Sequence, residues 1–178
     1  MENVVDTQTT PAELTAKAGA QASFERFFNA EFAQLYRALV IVTRDTAEAE
    51  DLAQESFVRL WERWDRVSAL DDPQGYLYRT GLNGYFQRRR RVARFAKRAL
   101  GGAVANPERD PLSSIETQDL IERSLLLLPA RQRAALVVTE LLGHDSSEAA
   151  SILGVRPGTI RTLVSQAKTC LRNQKEEQ

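Results

Sequence analysis

The residues with the most chemical character fall into three groups. Between Arg79 and Arg98 stand eight bases and no acid: Arg79, Arg88, Arg89, Arg90, Arg91, Arg94, Lys97 and Arg98. Guanidinium groups at that density neutralise phosphates; the tyrosines just upstream, Tyr76 and Tyr78, point in different directions at i and i+2, and Tyr76 reads as a core residue in preference to a ring on which unpaired bases stack. Between Asp45 and Asp72 the balance reverses to nine acids against three bases. The third group is Thr159, Arg161, Thr162, Ser165, Gln166 and Lys168, a polar set able to hydrogen-bond base edges in a major groove. Catalytic chemistry is not signalled: paired carboxylates, a nucleophile with its base, a glycine-rich phosphate loop and a metal cluster are all missing at credible spacing, so the chain reads as a non-enzyme with no cofactor. One cysteine, Cys170, and one histidine, His144, exclude an intramolecular disulfide framework and an ordinary Cys/His zinc cluster.

The helices that must position these groups can be read from apolar spacing, which is helical throughout with no strand signal, so the expected fold is all-α. A polar stretch, 1–22, reads as a mobile tail. A first helix, near Ser23 to Val42, aligns Phe24, Phe27, Phe28, Phe32, Leu35 and Leu39 on one stripe, and Arg44 to Thr46 breaks it. Asp45 and Glu48 form an acidic relative of the capping box, opening a second helix lined by Ala49, Leu52, Phe57, Leu60, Trp61 and Trp64. Opposite that stripe lie Glu50, Asp51, Gln54, Glu55 and Glu62. Asp72 then Pro73, an N-cap with proline at the first helical position, opens a third helix that runs into the arginines.

Glycines and prolines from Leu100 to Ser114 mark a flexible linker. Two apolar-faced helices, Ile115 to Leu128 and Pro129 to Leu142, follow it. A second capping pair, Asp145 and Glu148, leads into Ala149, Ala150, Leu153, Gly154 and Val155, then Pro157 and Ile160, the pattern of a helix-turn-helix. Gly154 supplies the left-handed turn residue and Ile160 plugs the angle between the helices. The second of these helices buries Ile160, Leu163, Val164, Ala167 and Leu171, which turns the polar third group outward. His144, in the preceding turn, reads as a solvated loop residue.

Length and charge bound the organisation. A chain of 178 residues with 43% hydrophobic content suits one large or two small domains. The boundaries read as 23–98 and 115–172, with 99–114 between them and a short tail, 173–178. Twenty-four bases against 24 acids give a net charge of zero. That neutrality conceals a polarity which points to two different partners. The longest apolar runs are far too short for a membrane helix and the N-terminus lacks a signal-peptide pattern, so the expected setting is the cytoplasm, with no membrane partner and a monomeric free state.

The run Ala49-Glu50-Asp51-Leu52-Ala53-Gln54-Glu55-Ser56-Phe57-Val58-Arg59-Leu60-Trp61 resembles the core-binding helix of bacterial sigma factors, especially the two-domain extracytoplasmic-function group. Pro73 to Arg91, with Tyr76-Leu77-Tyr78-Arg79 and Asn83, resembles the family's promoter-melting helix. Leu128-Pro129-Ala130-Arg131-Gln132-Arg133 and the helix-turn-helix through Lys168 resemble its C-terminal domain. The resemblance implies that Glu50, Asp51, Gln54, Glu55, Val58 and Glu62 meet core RNA polymerase. It assigns Arg79, Asn83, Gln87 and Arg88 to Arg91 to the minus-ten element, and Arg156, Thr159, Arg161, Thr162, Ser165, Gln166 and Lys168 to the minus-thirty-five element of promoter DNA. The loop Val67 to Asp72 would receive a flipped base. An anti-sigma factor is a further implied partner. Leu82 and Gln87 stand where arginine and aspartate are common in the family. Arg156, Leu163 and Ala149 also depart from its usual residues. Two other readings remain open on the residues: a one-component helix-turn-helix regulator binding duplex DNA as a dimer, and an interaction protein that sequesters polymerase.

Overall fold

The computed structural model describes residues 11–99 and 124–176, and every regular element among them is helical. The expected linker, 100–114, and the expected helix start at Ile115 lie outside the described residues. Helix α1 spans Pro11–Thr43. It begins well before Ser23 because Pro11 suits a first helical position and the Ala-rich sequence after it carries no helix breaker except Gly19. The expected tail is therefore helical from Pro11 to Ala22, and residues 1–10 lie outside the described residues.

Helix α1 ends at Arg44, a non-glycine residue held at φ 66°. Thr43 secures the turn, its hydroxyl donating to the Asp45 carbonyl at 2.8 Å and accepting from the Asp45 amide at 3.1 Å. Helix α2, Thr46–Trp61, starts where expected, since the Asp45 side chain accepts from the Glu48 amide. It stops at Trp61. Trp64 belongs instead to a short helix α3, Trp64–Val67, because the chain must turn for the indole to reach α1. There Trp64 Nε1 donates to the Ser23 hydroxyl at 2.9 Å, and its ring packs against Phe24 and Phe27.

Helix α4, Pro73–Ala99, begins behind Asp72, whose carboxylate accepts from the Gly75 amide at 2.7 Å. It lies close against α1 and α2 at Gly81, where an added Cβ would stand 3.3 Å from both Leu35 Cδ1 and Ser56 Oγ. Leu82, Tyr78 and Tyr85 fill the core beside it.

In the C-terminal half, residues 124–126 form a single helical turn, and α5, Ala130–Leu136, runs into a π-helical segment, Val137–Leu141. Helices α6, Ser146–Leu153, and α7, Pro157–Glu176, complete the helix-turn-helix. Both local signals hold: Asp145 and Glu148 form a reciprocal capping box, and Gly154 takes φ 64°, ψ 39°. Ile160 is fully buried between the two helices.

The two halves do not pack apart. Buried residues of α1, α2 and α4 form one continuous apolar cluster with those of α5, the π segment, α6 and α7. No helix among the described residues is long and apolar enough to cross a membrane.

Candidate nucleic-acid interface

On α2 the apolar stripe Ala49, Leu52, Ala53, Phe57 and Leu60 is buried, so the helical period forces the acids outward. Glu50, Asp51, Gln54, Glu55, Val58 and Glu62 are all exposed. Val58 is 58% exposed, an apolar contact set among carboxylates. Gln54 donates to Glu50 at 3.2 Å, leaving most of the acidic face unpaired within its own helix. Glu55 is different: it binds Arg59 at 3.7 Å and Arg88 of α4 at 2.5 Å. Glu48, at the start of α2, is half-buried, and loss of solvent pushes its carboxyl up from the ordinary value.

On α4 the expected set divides. Arg79, Asn83, Gln87, Arg90 and Arg91 follow one another at helical spacing on the surface, with Asn83 half-buried and the other four exposed. Arg94 continues the row. Arg88 and Arg89 are half-buried and turned elsewhere: Arg88 pairs with Glu55, and Arg89 donates to the Tyr85 hydroxyl at 3.3 Å with its guanidinium 5.6 Å from that ring. An open cleft lies between α2 and this row, lined by Glu55, Arg59, Gln87, Arg91 and Arg94 among others. Arg59 and Arg94 thus join the site. Arg94 lay within the basic run, whereas Arg59 carried no sequence signal because it sits among acids.

The tyrosines are not stacking platforms in this arrangement. Tyr78 is fully buried and donates to Glu31 at 3.2 Å, and burial together with that carboxylate holds its phenol far above the ordinary value. Tyr76 is half-buried with its hydroxyl 3.4 Å from Arg63. Of the loop expected to receive a base, Val67 is buried as the last residue of α3, while residues 68–72 are exposed.

On α7, and at Arg156 just before it, the outward face is as the period requires. Arg156, Thr159, Arg161, Thr162, Ser165, Gln166 and Lys168 are all exposed, against fully buried Ile160 and Ala167 and partly buried Leu163, Val164 and Leu171. Thr162 returns its hydroxyl to the Gly158 carbonyl at 3.0 Å. Gln166 accepts from Gln132 at 3.2 Å, and Lys168 pairs with Glu140 at 2.7 Å. Arg161, Ser165 and Lys168 share a cleft with Arg172 one turn further on, a basic residue that the same four-residue rhythm could have flagged.

One residue departs from its sequence reading, and a second carries no assigned role there. His144 is not solvated: its side chain is 10% exposed and its ring meets Tyr78 of α4 edge-on at 5.8 Å. The π-helical turn directs it inward, its amide donating to the Val138 carbonyl. Arg133 is fully buried, and burial lowers its guanidinium to about 10, so it stays charged at neutral pH.

Comparison with known proteins follows this geometry closely. The family described as Sigma-70 region 2 matches residues 27–95, and Sigma-70, region 4 matches residues 118–171. The chain is 27% identical over 166 residues to the ECF RNA polymerase sigma factor SigM of Mycobacterium tuberculosis, covering 92% of this chain and 84% of that protein. It is 28% identical over 168 residues to the probable RNA polymerase sigma-C factor of Mycobacterium bovis, covering 93% and 90%. In fold it is similar to the sigma factor RpoE in complex with the anti-sigma factor NepR from Bartonella quintana, with a TM-score of 0.69 at 24% identity over 86% of this chain and 97% of that one. It is likewise similar to CnrH in complex with the cytosolic domain of CnrY, with a TM-score of 0.60 at 23% identity over 92% and 94%.

Proposed function

The chain belongs to the extracytoplasmic-function group of the sigma-70 family, and on that footing we propose how its surfaces divide the work of promoter-specific transcription initiation. The factor binds core RNA polymerase and brings it to promoter DNA. The α2 face of Glu50, Asp51, Gln54, Glu55, Val58 and Glu62 docks on a basic surface of the polymerase, where opposite charge speeds encounter and fixes register. The α4 row of Arg79, Asn83, Gln87, Arg90 and Arg91 meets the minus-ten element, with Asn83 reading and the arginines neutralising phosphates. The α7 face of Arg156, Thr159, Arg161, Thr162, Ser165, Gln166 and Lys168 enters the major groove at the minus-thirty-five element. Strand separation draws on binding energy, so the factor itself is not an enzyme, and it acts in the cytoplasm where core polymerase works. An anti-sigma factor is a fitting further partner, since the two solved structures compared above are complexes, one of them with a named anti-sigma factor.

The observation that carries the assignment is the presence, on one chain, of an exposed acidic helix face and two separate arginine-bearing nucleic-acid faces. A duplex-binding regulator would need only the last. Run-off transcription with purified core polymerase on a matched promoter tests it. Specific transcripts that depend on this chain are the expected result, whereas tight duplex binding as a dimer, or polymerase binding without transcripts, would replace it with one of the other two readings.

A further inference from the structure

On the outward face of α7, and at Arg156 just before it, only one side chain has two chemically different ends. Arg156, Arg161 and Lys168 can only donate hydrogen bonds, whichever way they turn. The hydroxyls of Thr159, Thr162 and Ser165 rotate to suit a partner. Gln166 alone carries a carboxamide, with a carbonyl oxygen at one tip and an amide nitrogen at the other. What it reads therefore depends on which tip faces the groove. An unrestrained glutamine uses both tips at once, accepting from N6 of adenine and donating to its N7.

This glutamine is restrained. Gln132 of α5 donates from Nε2 to Gln166 Oε1 at 3.2 Å, across 34 residues of sequence. Gln132 is half-buried, in the first turn of a helix that is firmly held. Its neighbour Arg133 is fully buried, with its guanidinium on the carbonyls of Leu128 and Val42. Helix α5 also packs on α7, through Leu136 and Ala167 of one small apolar cluster. A group anchored in this way can fix the orientation of a side chain that reads a ligand. A second tether, Glu140 to Lys168 at 2.7 Å, differs in kind. Lysine held by charge remains a donor, so that pair bears on reach and salt dependence without choosing a base.

We propose that Gln132 is a positioning residue for promoter recognition: by occupying Gln166 Oε1 it commits Gln166 to the groove as a donor through Nε2, so that Gln166 selects a keto base, guanine or thymine. The inference rests on the promoter-factor reading above. In the major groove guanine presents O6 and thymine O4, both acceptors, whereas adenine and cytosine place an amino group at the corresponding point. Set against a second donor, Gln166 Nε2 gains no bond and leaves a desolvated N–H. The two-point match to adenine is lost as well, because it needs Oε1 to accept from N6. The base ordinarily matched by a glutamine on a reading helix is thus changed from one helix away.

Run-off transcription by the holoenzyme, on a promoter library in which each minus-thirty-five base pair is varied singly, tests this. Gln166→Ala locates the position that Gln166 reads, as the one whose preference disappears. Every base pair carries one keto and one amino group, so on the strand that Gln166 meets, guanine and thymine should be favoured together over adenine and cytosine. The expected margin is about three- to tenfold, the range of one hydrogen bond. Gln132→Met has no donor and should narrow that margin at this position alone, with the other preferences intact, which also shows that the fold survives. Gln132→Lys keeps a donor to Oε1 and should keep the wild-type grouping. Gln132→Glu offers only acceptors, so it should capture Gln166 Nε2, turn Oε1 to the groove and invert the grouping. A merely structural role would weaken every position alike and would not separate lysine from glutamate. The same grouping in Gln132→Lys and Gln132→Glu overturns the proposal, as does a wild-type preference for one A·T pair alone, or a Gln166→Ala variant that changes no position. A wild-type chain that gives no run-off, or run-off indifferent to every minus-thirty-five base, overturns the promoter-factor reading instead.

Discussion

Arg91 and Arg161 carry the same guanidinium on exposed faces of different helices, and the tasks proposed for them predict opposite signatures. A phosphate contact releases counterions whatever the sequence, so Arg91→Ala should weaken promoter binding across all sequences and flatten the logarithmic salt dependence by about 0.9. A bidentate base contact discriminates at one base pair, so Arg161→Ala should cost about 1–3 kcal/mol against a single minus-thirty-five position and little elsewhere. Competition binding across single-base promoter variants at two salt concentrations measures both. Uniform loss for Arg161→Ala would move that residue to the backbone. Arg88 and Arg89, expected alongside Arg91, should contribute less to the salt slope, since one is held by Glu55 and the other by Tyr85. Those ties were illegible in the sequence because they are settled by packing: Glu55 and Arg88 are 33 residues apart, Val42 and Arg133 91. Leu82 shows the same limit. It departs from the family's usual arginine and is fully buried, so it fills the core instead of reading DNA. Leu82→Ala should lower stability by about 2–5 kcal/mol in denaturant unfolding.

Whole helices were more legible than their partners, for a physical reason: caps and turns are local. Asp45, Asp72 and Asp145 each accept a hydrogen bond from an amide in the first turn of the following helix, as their spacing predicted. The π-helical segment and the break between Trp61 and Trp64 carry no such signal, being responses to what lies across the core. The cap of α6 gives a pH test. Amide hydrogen bonds from Glu148 and Ser147 hold the Asp145 carboxyl below its ordinary value of 3.8. The folded form therefore favours the carboxylate, and its contribution is fully present above that value and lost as pH falls through the lower folded one. Asp145→Asn keeps an acceptor that does not titrate, so the difference in melting temperature between wild type and variant should change only in that acid window. A constant difference from neutral pH to pH 2 would remove the carboxylate from the account.

The α2 face supplies a second test at this scale. Asp51 is exposed and has its charge unmatched within the helix, so Asp51→Arg should abolish binding to core polymerase and leave the thermal melt unchanged. Glu55 is a less clean probe, because Glu55→Arg would also set a third guanidinium beside Arg59 and Arg88. Unimpaired association of Asp51→Arg with core, measured by gel filtration, would mean that another face docks.

At the scale of the whole molecule, composition and turn signals suggested two separate helical units, whereas the helices α1 to α4 and the helix-turn-helix share one apolar cluster. What local pattern could not reveal is that the C-terminal helices pack on α1 and α4, because the contacts responsible, Arg131 with Phe86, Arg133 with Val42 and His144 with Tyr78, join residues far apart in sequence. The continuous apolar cluster across both halves has a thermodynamic consequence. Units that share a core lose one another's burial when either unfolds, so the free factor should melt in a single transition, with calorimetric and van't Hoff enthalpies that agree. Loosening the contact with Phe86→Ser and Arg131→Ala should separate the melt into two transitions, the lower one belonging to the half with less buried apolar surface. Helicity followed by circular dichroism and the fluorescence of Trp61 and Trp64, both in the N-terminal half, should coincide in wild type and diverge in the variant. Two resolved transitions in the wild-type chain would show that the halves fold independently and that their contact is too weak to hold the molecule closed.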